Sequence, residues 1–295
     1  MSGNLVITHG GWTAEIAPAG GAIVALAHDG EAILRPSSDA ARRAGDVRRM
    51  ACYPLVPYAN RIANGRFCFA GFEHQLAANF AGSPHTLHGV GWRRAWRVEA
   101  CDDRSCTLVL EHRPWGDGPA TWPFAFDARQ TFSLDAESLA VTLSVANRGD
   151  AGAPAGIGLH AFFPRRPGQT IAFRSTGALL NGPDMLPTSE VSGGAWDYGA
   201  ARPVDGAGLD NDFLGWDGAV DLSGDGGPRV AMRASPAFGV LRVYTPEGAD
   251  FFAAEPVSHR ADAINHPGDA TGAMTILAPG ETLEGDVRLT VEAAR

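Results

Sequence analysis

Short runs of alternating hydrophobicity, broken by turn formers, predict an all-β chain: a large antiparallel sandwich or barrel with very little helix. The first sign is alternation. Leu139, Val141, Leu143 and Val145 share one face of a run, with Ala140, Thr142, Ser144 and Ala146 on the other. The second is punctuation. The chain has 37 glycines and 20 prolines in 295 residues, and few stretches keep a helical period without interruption. The third is composition: 45% of residues are hydrophobic, which is enough apolar content for a packed core.

Along the chain, Ser38 to Arg43 is the one clear candidate for a short helical turn. Leu108 and Leu110 alternate with Val109 and Glu111, and Phe124 and Phe126 share a face. Gly156 to Pro164 reads as a strand with Ile157, Leu159, Ala161 and Phe163 on a core face. Its other face carries Gly156, Gly158, His160 and Phe162, so a hollow is expected beside an imidazole and an aromatic ring. Asn181 to Asp210 is rich in Gly and Pro and is expected to be a long loop lining a site. Val287, Leu289 and Val291 alternate with Arg288, Thr290 and Glu292 near the end. No linker or internal repeat divides the chain, so residues 1–295 are expected to form a single domain.

Charge excludes some partners. The formal net charge is -9 and no Lys/Arg block appears, which argues against nucleic acid and against an anionic membrane surface. No 18-residue apolar stretch and no basic leader followed by an apolar run is present. Cys52, Cys68, Cys101 and Cys106 show no metal or disulfide spacing, so free thiols in a reducing cytoplasm are expected. The sequence leaves monomer and homodimer equally open.

The phosphate-binding glycine loops, the His-Glu-x-x-His zinc motif and the Gly-x-Ser-x-Gly elbow are absent. His85 and His88 lack a neighbouring Cys or carboxylate of metal-ligand spacing, so no metal is expected. Polar residues set in apolar or turn-rich segments remain. Arg61, after Tyr58 and Asn60, offers fixed donors to ligand oxygens. His88 precedes Gly89, where a ligand or another backbone can approach closely. Asp210 opens Asp210-Asn211-Asp212 between Leu209 and Phe213 and could hold two hydroxyls or simply shape a turn. Glu255 ends the apolar run from Phe251, so its carboxyl is expected to be partly desolvated, with a pKa raised toward that of a general base.

In this order the segments resemble the aldose 1-epimerase (galactose mutarotase) family. The resembling parts are Asn60-Arg61-Ile62, Leu87-His88-Gly89, His160-Ala161-Phe162-Phe163, Leu209-Asp210-Asn211-Asp212-Phe213, and Glu255 followed by Asp262-Ala263-Ile264-Asn265-His266-Pro267. The resemblance implies a galactose mutarotase-like β-sandwich with a sugar cleft, acting on a free aldose without a cofactor. It implies Glu255 as the base at the anomeric hydroxyl and His160 as the acid at the ring oxygen. His88 would assist catalysis, and Arg61, Asp210, Asn60 and Phe162 would bind the sugar. For His160 to act as the acid, a neighbouring negative charge must raise its pKa. Phe162 stands where the family usually has Tyr, Pro164 where Asn often follows, and Thr245 where some relatives use a ligand-binding Gln. Arg165 and Arg166 would meet a phosphate if the substrate were a hexose 6-phosphate. A non-catalytic sugar-binding protein on the same scaffold is the third reading.

Overall fold

The structure is a computed structural model that describes residues 3–118, 120–269 and 271–292. Among the described residues, two antiparallel sheets account for most of the strands. One has eleven strands and the other nine.

The strands pair where the sequence alternates. Phe126–Leu134, Ser138–Asn147 and Thr282–Glu292 lie side by side in the nine-stranded sheet. Leu139, Val141, Leu143 and Val145 point inward from it, as do Val287 and Leu289. From the eleven-stranded sheet, Leu159, Ala161, Phe163, Leu241, Val243, Phe252 and Ala254 meet them in the same core. Two sheets burying their apolar faces against each other make a sandwich, as the patterning requires.

The larger sheet also buries residues on its other face. Tyr53, Leu55, Phe162, Leu214, Val240, Ala253 and Val257 form a second apolar cluster there with Met50, Leu179 and Trp92. These residues alternate in sequence with those of the main core, so each central strand is apolar on both faces. Helix is scarce. Asp39–Ala44 is capped by Ser38, whose Oγ accepts from Ala41 N at 3.2 Å, and it stops at Gly45 with φ 61°. Pro114–Asp117 forms a second short helix.

Two expectations need correction. The Asn181 to Asp210 segment is not one long loop lining a site. It holds a strand, Pro187–Val191, paired with Gly177–Asn181, then a 3₁₀ turn at Gly194–Trp196 and a short strand, Arg202–Pro203. Pro187–Val191 ends the order of its sheet. An edge strand needs no apolar alternation, so composition masked it. A hollow does lie beside His160 and Phe162, but Gly156 and Gly158 do not make it, because the space beside them is filled. A Cβ at Gly156 would lie 2.2 Å from His259 Cδ2, and one at Gly158 would lie 2.8 Å from Val257 Cγ1. These glycines admit neighbouring side chains, not a ligand.

At Gly89, with φ 67°, a Cβ would sit 2.3 Å from the Val56 carbonyl oxygen. That close approach holds the turn carrying His88, whose own φ is 62°. Gly89→Ala is expected to destabilise the protein by about 3 kcal/mol or more, read as a lower urea midpoint. Gly30→Ala, also at positive φ but with nothing within 4 Å of the new Cβ, should cost only about 1 kcal/mol. Equal losses would contradict the packing described here.

Candidate functional site

The cross-strand register lines up one row of polar side chains on the face turned away from the sandwich core. Tyr53 of Cys52–Leu55 pairs with His160 of Gly158–Pro164. That strand pairs with Phe251–Val257, with Gly158 opposite Val257 and Phe162 opposite Ala253, which brings His160 beside Glu255. Glu255 pairs with Arg242 of Val240–Tyr244, and Arg242 pairs with Asp212 of Asp210–Leu214. The row Tyr53, His160, Glu255, Arg242, Asp212 therefore crosses five adjacent strands.

Above it lies a cleft of ≈ 970 Å³. Asn60, Arg61, His88, His160, Phe162, Asp210 and Glu255 all line it, so the residues to which the resemblance gives a catalytic or sugar-binding role meet in one place. His160 Nε2 is 3.4 Å from Glu255 Oε1. The second carboxyl oxygen of Glu255 and Nδ1 of His160 are buried without a protein partner. Buried polar atoms are normally satisfied, so two orphans on adjacent residues that line one cleft mark the pair as a functional candidate.

The proton sits differently from the sequence expectation. Burial raises the Glu255 pKa to about 8, with Arg242 opposing the rise and the nearby Asp210 and Asp212 carboxylates adding to it. His160 is pushed well below 6.5, first by burial and then by His88, Arg242 and Arg35. The negative charge needed to protonate His160 is thus itself neutralised by desolvation. Near neutral pH the pair holds one proton, on the carboxyl side. Charge balance agrees. With Glu255 protonated, Arg61 and Arg242 face Asp210 and Asp212, and the cluster is neutral.

The loops carrying the other residues are tied to the row. Asn60, with φ 57°, donates its backbone N–H to His88 Nδ1 at 3.1 Å, and His88 N–H returns a bond to the Asn60 carbonyl at 2.9 Å. Burial drives the His88 pKa down to about 3, so its ring is neutral. With Nδ1 accepting, the remaining proton belongs on Nε2 as a donor. Asn60 Oδ1 accepts from Arg61 Nη1 at 3.2 Å, while Asn60 Nδ2 is buried without a partner. Arg61 has no carboxylate within 4 Å among the described residues, which leaves its guanidinium available to hydroxyl oxygens.

Phe162 lines the cleft between Arg35 and His160. The Arg35 guanidinium lies 3.9 Å over its centroid, and the His160 ring centroid is 4.3 Å away. Two groups that close cannot share one face of a ring, so both faces are covered. Arg165 and Arg166 lie outside the cleft, contrary to the phosphate expectation. Arg165 Nε is 3.6 Å from Asp205, and Arg166 donates to the Ala32 carbonyl at 2.7 Å. Thr245 Oγ1 accepts from Leu209 N–H at 2.7 Å and does not line the cleft. His85 Nδ1 accepts from Asn64 N–H at 2.9 Å, and its Nε2 is 3.1 Å from the Asp184 carbonyl.

Sequence reasoning missed Arg242, His259, Asp212 and Asp262. Arg242 is 4% exposed and donates to Asp212 Oδ1 at 2.8 Å and to the Asp210 carboxylate. Its signal was a charge inside the apolar run Phe238 to Tyr244. Asp212 Oδ2 accepts from Ala261 N–H at 2.6 Å. Asp262 accepts from Ala63 N–H at 2.9 Å, and its own N–H donates to the Arg61 carbonyl at 2.8 Å. His259 Nε2 accepts from Ala59 N–H at 3.0 Å.

Comparison with known proteins gives a consistent assignment. A family model described as aldose 1-epimerase matches residues 4–290. The uncharacterized protein YphB of Escherichia coli K12 is 31% identical over 296 residues, covering 97% of this chain and 98% of that protein. A crystal structure from Escherichia coli K12, provisionally described as an aldose 1-epimerase, is 30% identical with a TM-score of 0.88 over 99% of each chain. A galactose mutarotase-like protein from Clostridium acetobutylicum shares the fold at 18% identity, with a TM-score of 0.85 over 99% of this chain and 95% of that one.

The raised pKa of Glu255 makes a stability claim. The folded state keeps its proton up to about 8, whereas an unfolded Glu loses it near 4.5. Stability from this group is therefore lost as pH rises between those values. Glu255→Gln, which needs no proton, is expected to raise Tm by several degrees, with a larger gain at about pH 8 than at about pH 5. Thermal unfolding at the two pH values checks this. A gain that does not grow with pH would show that the carboxyl is not held protonated.

Proposed function

The chain belongs to the aldose 1-epimerase family, and on that premise we propose that it interconverts the α and β anomers of a free aldose. The supporting observation is the Glu255 and His160 pair, 3.4 Å apart in the lining of the cleft, each with one buried polar atom that has no protein partner. A binding protein gains nothing from burying an ionisable pair unsatisfied, because each orphan costs about 1–3 kcal/mol. That favours an isomerase over a non-catalytic sugar receptor.

Ring opening takes a proton from the anomeric hydroxyl and gives one to the ring oxygen. Glu255 acts as the base and His160 as the acid. In that direction the pair begins with its single proton on His160 and ends with it on Glu255. The free protein favours the second arrangement, so Glu255 is a strong base for its type when the sugar hydroxyl meets its carboxylate. After rotation about the C1–C2 bond, Glu255 returns its proton to the carbonyl oxygen and His160 takes one from the hydroxyl. The ring then closes on either face, and no net proton is gained or lost. His88, neutral with Nε2–H directed at the cleft, donates to the ring oxygen or steadies it. Arg61, Asn60 and Asp210 hold hydroxyls, and Phe162 bounds the sugar. Arg242 fixes the Asp210 carboxylate from below.

The proposal needs neither metal nor organic cofactor, since both protons move between side chains and sugar. Among the described residues no helix is long and apolar enough to cross a membrane.

Fresh α-D-galactose, α-D-glucose and L-arabinose should equilibrate faster with the protein present, as read by polarimetry. Glu255→Gln and His160→Gln should each lower the catalysed rate at least about 100-fold. If wild type and both variants were equally inactive on this panel, the proposal would fail.

The pH profile follows from the shared proton. The rate should hold from mildly acidic to neutral pH, because His160 takes a second proton only well below 6.5. It should fall as pH rises through about 8, where the pair loses its proton. A rate that climbs steadily above pH 8 would contradict this protonation scheme.

A further inference from the structure

The cleft continues beyond the proton-transfer pair to a cationic end. Arg35, Arg48 and Arg49 line it there, with Asp46 and Asp250 as the nearby carboxylates. Arg48 and Arg49 share Asp46, at 3.2 and 3.6 Å. Arg35 has no carboxylate within 4 Å among the described residues, although Asp250 is near enough to act on it electrostatically. It is held instead by two aromatic rings and by backbone. Its Cζ lies 3.9 Å over Phe162 and 4.3 Å over Phe251, and its Nη2 donates to the carbonyls of Met50 at 3.0 Å and Arg48 at 3.4 Å. The two rings are perpendicular, so the guanidinium packs in the corner between them, and with two carbonyls on Nη2 it is ordered before any ligand arrives while its remaining N–H groups are unspent.

The spacing suits a sugar. His160 and Phe162 are two residues apart on one strand face, roughly 6.6 Å of rise. Arg35 follows Phe162 in the same stacked row. A pyranose with C1 at His160 and Glu255 that extends over Phe162 would bring its far side to Arg35. One cleft of ≈ 970 Å³ is lined both by the proton-transfer pair and by Arg35.

We propose that Arg35, with Arg48 and Arg49, selects aldoses that carry an anionic group, a carboxylate or a phosphate, remote from C1. This rests on the epimerase reading and narrows its substrate class. It also reassigns the anion contact from Arg165 and Arg166 to a different part of the chain. Three arginines against Asp46 and Asp250 leave this end one net positive charge, and in a partly enclosed cleft that excess favours capture of an anion even on a chain of net charge -9.

Two-dimensional exchange NMR on the wild-type protein tests the idea, with uncatalysed exchange subtracted. The panel pairs neutral D-galactose and D-glucose with D-galacturonate and D-glucuronate, and with D-galactose 6-phosphate and D-glucose 6-phosphate. At low salt, kcat/KM for the carboxylates or the phosphates is expected to exceed that of the neutral parent about tenfold or more, and the advantage should shrink as salt is added. The two charged arms distinguish a uronate from a sugar phosphate. Arg35→Met should abolish the advantage, and Arg165→Ala should preserve it. Exchange of neutral sugars with no gain for either anion would overturn this inference and leave the epimerase reading standing. Should no sugar exchange at all, titration calorimetry of galacturonate against galactose still decides: tighter binding of the anion, lost in Arg35→Met, supports the inference, and equal binding overturns it.

Discussion

Glu255 is a carboxyl taken out of water in the middle of a sheet, and the chemistry of the cleft follows from how the fold compensates for that. A lone buried carboxylate is costly, so the group either keeps a proton or acquires cations. Here it does some of both. Arg242 and Arg61 act to lower its pKa, while burial, Asp210 and Asp212 act to raise it, and burial prevails. The residue is left near 8, where a proton can both arrive and depart at ordinary pH. Removing Arg242 would raise that value further, and removing the two aspartates would lower it. The row across five strands thus sets the basicity of one atom.

Holding such a row demands rigidity from its neighbours. The five side chains of the central row stand on paired strands, where register determines the face and the neighbours of each. The residues proposed to touch the sugar from above stand on loops, and each loop is tied down by a buried side chain. Asn60 and His88 bond each other reciprocally, Asp262 holds the Arg61 turn, and Asp212 holds the segment after Glu255. Asp212 and Asp262, which have no contact with the sugar in this scheme, serve as struts. They also explain why so many ionisable groups near the cleft lie within the protein and not at its surface.

Much of this was legible in the sequence. Period-two runs such as Leu139 to Val145 and Val287 to Val291 announced the sandwich. His160 and Glu255 stood out because each interrupts an apolar strand. Arg242 does the same within Phe238 to Tyr244, yet a single Arg in a short run reads as a surface residue until its partners across the sheet are known. The pairing of Arg242 with Asp212 spans 30 residues, and no local pattern encodes it. The position of the shared proton was equally hidden, since it depends on burial at several strands at once. Gly156 and Gly158 misled for a related reason: the missing side chains were real, but His259 and Val257, about a hundred residues away, fill the space.

The location of that proton is the claim on which the rest of the mechanism stands. Infrared difference spectroscopy between wild type and Glu255→Gln, followed across pH, observes it directly through the C=O stretch of a protonated carboxyl. The account predicts that this band is present at neutral pH and disappears as pH rises through about 8. A spectrum showing only ionised carboxylate at position 255 from about pH 5 upward would contradict it.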